Sequence, residues 1–205
     1  MGSTLFQKKL GILGGGQLGK MLLAECAKMG IYTSVLDPSE ESPCKNIANK
    51  FYCGDFRDYE TVIDFSNDCD VITFEIEQVN VDALEFLEKK GKKVYPKSKT
   101  LRTIQDKNQQ KQFFQKNNIP TADFKFFPNI SVLKSHISKD EINFPCIWKK
   151  TKFGYDGFGV KILNSSEDIN DLPDTEMIIE DFVPFEKELS VIVSRNVSGE
   201  IKCFE

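Results

Sequence analysis

GILGGGQLGKML, residues 11–22, places Gly14-x-Gly16-x-x-Gly19 right after the apolar run 10–13 and opens an apolar-periodic segment, so the motif stands between a strand and a helix. That is the form of a dinucleotide-binding loop. Glycines let the chain turn tightly, and the helix N-terminus behind them presents N–H groups with partial positive charge. A dinucleotide also needs an acidic residue at the end of the second strand for its ribose hydroxyls. Asp37, in VLDP, lies 18 residues past Gly19, close to that place. Taken alone, the loop leaves three readings open: a nicotinamide cofactor, another phosphorylated ligand, or a structural tight turn.

Outward from the loop, strand-like runs at 10–13, 32–36, 71–74 and a short one at Val94 alternate with helix-like segments at 17–29, 59–66 and 81–90. Such alternation implies β-α-β units and a parallel sheet. Leu18, Met21, Leu22 and Cys26 fall on one face of the first helix, and Gly30 is placed to stop it. Near Lys97 the pattern changes. Residues 98–118 read as one polar helix with Phe113 and Phe114 as its buried pair, ended before Pro120. Short strands at 123–127, 146–149, 160–163 and 177–180, with weak helices at 131–137 and 166–170, form a separate α+β unit. A strand at 188–194, a turn at 196–199 and a returning strand at 201–204 close the sequence. A two-stranded hairpin is marginal alone, so the chain is expected to be a fragment whose last sheet is incomplete.

The bulk properties exclude several classes. The 205 residues carry a net charge of −4, with a pI near 5.3, which does not suit a nucleic-acid groove or an anionic membrane surface. No apolar run approaches the roughly 18 residues of a membrane span. The six cysteines, at 26, 44, 53, 69, 146 and 203, form no C-x-x-C, and His136 is the only histidine. A zinc site needs a tighter cluster, and reduced thiols in a cytoplasmic protein are expected.

A second glycine loop narrows the choice. In IWKKTKFGYDGFGV, 147–160, Lys149 and Lys150 end a strand and Gly154, Gly157 and Gly159 follow before the next strand. Such a loop can fold over a triphosphate while a strand lysine holds phosphate oxygens; otherwise it is a glycine-rich hairpin with solvated lysines. A dehydrogenase has no need of this second phosphate device. In IIEDFVPFEKELSVIV, 178–193, the strand end Glu180-Asp181-Phe182-Val183 could line an adenine, and Glu188 could accept from ribose hydroxyls.

In this order, Lys107, Lys149, GYDG at 154–157, Glu180-x-x-Val183 and Glu188 resemble an ATP-grasp nucleotide site. More narrowly, GGGQLGKML (14–22), TFEIEQV (73–79), QDKNQQKQFF (105–114), FGYDGFG (153–159) and FVPFEKELSVIV (182–193) resemble the N5-carboxyaminoimidazole ribonucleotide synthetase family, ATP-dependent ligases of purine biosynthesis. The resemblance runs from about residue 8 to the last. It implies an α/β protein: a parallel-sheet, Rossmann-like pre-ATP-grasp domain over 1–97, linker helices and an α+β ATP-grasp small lobe over 98–187, and the truncated start of the large ATP-grasp lobe over 188–205.

The resemblance also implies roles. Lys107 and Lys149 would contact ATP, Lys149 toward the phosphates and as the catalytic group. Gly154, Tyr155, Asp156, Gly157, Phe158, Gly159 and Val160 would cover the triphosphate. Glu180, Asp181, Phe182 and Val183 would line the adenine, largely through backbone groups, and Glu188 would hold the ribose. Gly16, Gln17 and Leu18, with Glu75 and Tyr155, would face aminoimidazole ribonucleotide. The reaction would carboxylate that ribonucleotide with bicarbonate and MgATP, in a cytoplasmic homodimer. Two departures stand out. Phe153, Phe158 and Val160 replace a glycine, a basic residue and a glutamine of the family's GGYDGKGQ or GGYDGRGQ. Family members also continue well beyond residue 205, where the magnesium ligands are expected, so the chain alone should bind weakly and not turn over. Another ATP-grasp ligase and a non-catalytic nucleotide-binding fragment are the alternatives.

Overall fold

Apolar neighbours on the same strand set the architecture of the N-terminal half. In the computed structural model, which describes residues 8–154 and 159–204, Ile12 and Leu13 at the end of β1 (Lys9–Leu13) are both fully buried but face opposite ways. Val35 and Leu36 of β2 (Tyr32–Asp37) repeat the pair one strand over, in register with Ile12 and Leu13. Successive side chains leave a strand on opposite faces, so a sheet apolar on both faces must be covered on both. Ile12 and Val35 pack with Leu23 of α1 (Gln17–Lys28) and with Cys44. Leu13 and Leu36 pack into the larger core, with Val62 and Phe65 of α2 (Tyr59–Ser66) and Leu84 and Leu87 of α3 (Val81–Lys89).

The sheet is parallel throughout, in the order β3-β2-β1-β4-β5, with β3 (Lys50–Cys53), β4 (Val71–Phe74) and β5 (Lys93–Val94) completing it. The order reverses direction at β1, so the crevice beyond the carboxyl ends of β1 and β4 is the topological switch point, where open α/β sheets bind ligands. β3 is the element that sequence periodicity misses. Its four residues are an edge strand specified by pairing with β2, Val35 opposite Phe51, rather than by an apolar pattern of its own.

Three further expectations are corrected. The stretch 98–118 is two helices, α4 (Ser98–Gln105) and α5 (Lys107–Lys116). Asp106 between them is extended, at φ −126° and ψ 108°, and its carboxylate accepts from the N–H groups of Asn108 and Gln109, capping α5. Phe113 and Phe114 are not a buried pair: Phe113 is 47% exposed, and the buried residue of α5 is Lys111. The inward face of α1 is also displaced from the expected one. Gly19, Leu23 and Cys26 are buried, whereas Leu18 and Met21 are 64% and 66% exposed. The expected stop at Gly30 holds. Gly30 takes φ +66°, and its N–H and that of Ile31 satisfy the carbonyls of Ala27 and Cys26.

The second unit is an antiparallel four-stranded sheet in the order β6-β9-β7-β8: β6 (Phe124–Phe127), β7 (Cys146–Lys150), β8 (Val160–Leu163) and β9 (Met177–Asp181). One face carries Phe127, Cys146, Trp148, Leu163, Met177 and Ile179 and is closed by α6 (Ile130–Ile137) and the 3-10 helix Ser166–Asp171. The alternate residues Ile147, Lys149, Ile178 and Glu180 point to the other face, against which α5 packs beside β9. β10 (Ile192–Arg195) and β11 (Ile201–Phe204) pair with each other as a hairpin, shorter at its first strand than the sequence suggests. No helix among the described residues is long and apolar enough to cross a membrane.

Candidate functional site

Two places collect the residues singled out by the sequence. The first is the switch point. Gly14 turns at φ +97°, and its N–H donates to the carbonyl of Leu36 at 2.9 Å. The next two N–H groups of the loop are taken by carboxylates of the chain itself: Gly15 donates to Asp37 Oδ2 at 2.7 Å and Gly16 to Glu75 Oε1 at 2.9 Å. Ser42 closes the other side by donating to the Gly15 carbonyl at 2.8 Å. A pyrophosphate would have to displace both carboxylates, and Asp37, which also accepts from Ser39 N–H at 2.8 Å, does not extend toward a ribose. The nicotinamide reading loses its physical basis here.

The crowding explains why glycines stand in this loop. A Cβ on Gly14 would lie 2.8 Å from Glu75 Oε1, one on Gly15 2.4 Å from Ser42 Oγ, and one on Gly19 3.0 Å from the Gly14 carbonyl. Cys44 lies under the loop, 3.7 Å from the Gly16 carbonyl. Burial pushes its thiol up to about 11, and Glu75 and Asp37 nearby push the same way. Gln17 and Leu18 begin α1 with exposed side chains at the mouth of the crevice, on the same loop as Glu75's partner Gly16.

The second place is the open face of the antiparallel sheet. Lys149 Nζ lies 2.8 Å from Glu180 Oε2, across from its own strand, and Lys111 Nζ lies 3.3 Å from Glu180 Oε1. Glu180 is only 5% exposed and Lys111 8%. Lys111 is held further by Thr121 Oγ1 at 2.5 Å and the Ala122 carbonyl at 3.3 Å, with the Phe124 ring beneath it. Lys107 joins through its backbone, its N–H donating 2.8 Å to the carbonyl of Thr151, the first residue after β7. Asp106 meets Lys152 at 3.6 Å in the same place. The start of α5 is thus fastened to the start of the glycine loop.

Gly154, Gly159 and Val160 flank that loop, with Gly159 at φ +78° and its carbonyl accepting from Lys150 N–H at 2.8 Å. Phe153 takes φ +60°, a left-handed conformation that a glycine accepts without strain. Tyr155, Asp156, Gly157 and Phe158 lie outside the described residues. At the opposite end of β9, Asp181 precedes exposed Phe182 and Val183, and Glu188 is exposed further on. β9 and β7 run antiparallel, Lys150 opposite Met177 and Cys146 opposite Asp181. The strand exit and the glycine loop therefore stand at opposite ends of a shared track about 14 Å long at the usual rise per residue, with Lys149 near the loop end.

The structure brings Lys149, Glu180 and the α5 start together. Periodicity missed Lys111, although a carboxylate in the apolar strand MIIED calls for a buried cation, and QDKNQQKQFF supplies one four residues after Lys107. Among the described residues no group of three or more His, Cys, Asp or Glu side chains is arranged to hold a metal ion.

Comparison with known proteins divides the chain along the same line as its two larger sheets. The ribonucleotide synthetase preATP-grasp domain matches residues 7–105 and the ATP-grasp domain residues 112–205. The chain is 34% identical over 198 residues to the N5-carboxyaminoimidazole ribonucleotide synthase of Synechocystis sp., covering 95% of this chain and 49% of the relative. It is similar to the crystal structure of N5-carboxyaminoimidazole ribonucleotide synthetase from Thermotoga maritima, at TM-score 0.86 and 39% identity, over 97% of this chain and 52% of that one. It is likewise similar to the Aspergillus clavatus N5-carboxyaminoimidazole synthase solved with ADP and 5-aminoimidazole ribonucleotide, at TM-score 0.87 and 31% identity, over 98% of this chain and 53% of that one. The chain spans about half the length of each of these relatives.

Proposed function

The chain belongs to the N5-carboxyaminoimidazole ribonucleotide synthetase family, and from that premise we propose that it supplies the ribonucleotide crevice and the small-lobe half of the ATP site of an ATP-dependent ligase that carboxylates 5-aminoimidazole ribonucleotide. The observation that carries this reading is the track along β7 and β9. Lys149 stands at the end beside the glycine loop, and the strand exit, Asp181 followed by exposed Phe182 and Val183, stands at the other. A nucleoside laid along it has its base at the strand exit and its phosphates under the loop. The relative solved with ADP and aminoimidazole ribonucleotide supports both ligands.

In this reading a bicarbonate oxygen attacks the γ-phosphorus of ATP, ADP leaves, and the exocyclic amine of the ribonucleotide takes the carboxyl group as phosphate departs. The protein's contribution is positioning, charge neutralisation and exclusion of water. Lys149 neutralises phosphate charge. The loop spanning Tyr155, Asp156, Gly157 and Phe158 covers the triphosphate, and Lys107 adds a second cation beside it. Glu188 takes the ribose. Gly16, Gln17, Leu18, Glu75 and Tyr155 meet the ribonucleotide. Magnesium accompanies ATP, bicarbonate is the co-substrate, and a homodimer in the cytoplasm is the expected working form.

The test is calorimetric binding of MgADP and of aminoimidazole ribonucleotide to the 205-residue chain, with phosphate release measured from MgATP and bicarbonate. Lys149→Ala is expected to weaken MgADP binding about tenfold or more and leave ribonucleotide binding unchanged. MgADP binding that ignores Lys149→Ala removes the assignment of the phosphate end.

A further inference from the structure

The trio of buried Lys111 and Glu180 with half-buried Lys149 contains more charge than one ion pair needs. Glu180 accepts from Lys149 on one oxygen and meets Lys111 on the other, at 2.8 and 3.3 Å. Lys111 is nearly closed off from solvent, whereas the Lys149 side chain keeps 28% of its surface exposed on the open face of the sheet. Alone with Glu180, Lys149 would form a neutral pair with nothing left for an anion. With Lys111 behind the carboxylate the trio carries one net positive charge, and the only member open to a ligand is Lys149. Thr121 Oγ1, the Ala122 carbonyl and the Phe124 ring also hold Lys111, and at 8% exposure it offers a ligand almost no surface of its own.

We infer that Lys111 is a positioning residue of the nucleotide site: it neutralises Glu180 from behind, which holds Lys149 in place while leaving its charge free for phosphate. This rests on the nucleotide reading of the β7–β9 track. The role differs from that of a mere core contact because it depends on charge count rather than shape.

The test compares MgADP affinity and its salt dependence in the unsubstituted chain, Lys111→Met, Lys111→Arg and the double variant Lys111→Met/Glu180→Gln. Urea unfolding followed by the fluorescence of the single tryptophan, Trp148, reports folding of each. The trio's net charge is +1, 0, +1 and +1 in that order. Lys111→Met is expected to lose about tenfold in affinity and to flatten the dependence on salt. Lys111→Arg and the double variant are expected to recover most of both. Unchanged affinity in Lys111→Met overturns the inference. So does a double variant as weak as the single one, which would mark Lys111 as a packing residue. A chain that binds no MgADP before any substitution overturns the nucleotide reading itself, and this inference with it. If Lys111→Met fails to fold, the double variant and Lys111→Arg still decide: both must bind with the unsubstituted salt dependence.

Discussion

Gly15 donates its N–H to the carboxylate of Asp37 at 2.7 Å, across the carboxyl ends of β1 and β2. In a dinucleotide site that amide faces phosphate and that carboxylate faces a ribose. Here each is the other's partner. Asp37→Ala leaves the amides of Gly15 and Ser39 without their acceptor, and is expected to lower stability by about 1–3 kcal/mol. Urea unfolding measures the loss. In the same protein NAD should leave the melting temperature where it is, while MgADP raises it. A rise with NAD alone would restore the dehydrogenase reading.

Gly14 and Gly91 separate crowding from backbone strain. Both take positive φ, +97° and +84°, but a Cβ on Gly14 meets Glu75 at 2.8 Å whereas one on Gly91 meets nothing within 4 Å. Gly91→Ala should cost about 1 kcal/mol for the conformation. Gly14→Ala should cost at least 1 kcal/mol more, on the order of an overpacked core position. Equal costs in denaturant unfolding would show that Glu75 moves aside freely.

Asp106 ends α4 and caps α5 through Asn108 and Gln109. Asp106→Ala is expected to cost about 1–2 kcal/mol. Because α5 carries both Lys107 and Lys111, MgADP affinity should fall as well. Asp106→Asn, which keeps a capping oxygen, should preserve most of both. A stability loss with unchanged affinity would show that the capping bond does not register the two lysines.

Cysteine chemistry should follow burial. Cys53 and Cys203 are exposed and the other four are buried, so a disulfide-exchange reagent should titrate two thiols in the native protein and six after unfolding. Burial pushes Cys44, Cys69 and Cys146 up to about 11. The sign follows from proton counts: between the unfolded value near 9 and about 11, the unfolded chain has released protons that the folded one retains. Stability is therefore complete below pH 9 and falls as pH rises toward 11, by at most about 1.4 kcal/mol per pH unit per thiol. Tyr52, raised by burial, adds in the same direction. A melting temperature flat from pH 8.5 to 11 would contradict this account.

The parallel half of the fold was legible because its strands carry their own signal. Val71–Phe74 and Tyr59–Ser66 lie where the periodicity puts them, since both bury a face that must be apolar over consecutive turns or alternate residues. β3 was not legible, because an edge strand of four residues takes its conformation from its neighbour's hydrogen bonds. The single helix over 98–118 failed for a local reason. The polar pattern is continuous, and only the capping geometry of Asp106 shows that it is interrupted. At the site, the lysine strand, the glycine loop and the strand exit could all be read from residue types. Lys111 could not, because helical periodicity offers Phe113 and Phe114 as the inward pair and says nothing of a carboxylate on a strand nearly seventy residues away.

By itself the sequence determined the order of elements, the two glycine loops and the residues that carry charge to them. These follow from patterns within short stretches, where neighbours along the chain are neighbours in space. Only the tertiary structure decided which amides remain available and which cations are already spent. Asp37 and Glu75 reach the first loop across 22 and 59 residues, and Lys149 reaches Glu180 across 31. Contacts of that range depend on how the sheets align their strands, because charge compensation inside a fold is settled by distance in space rather than by spacing along the chain.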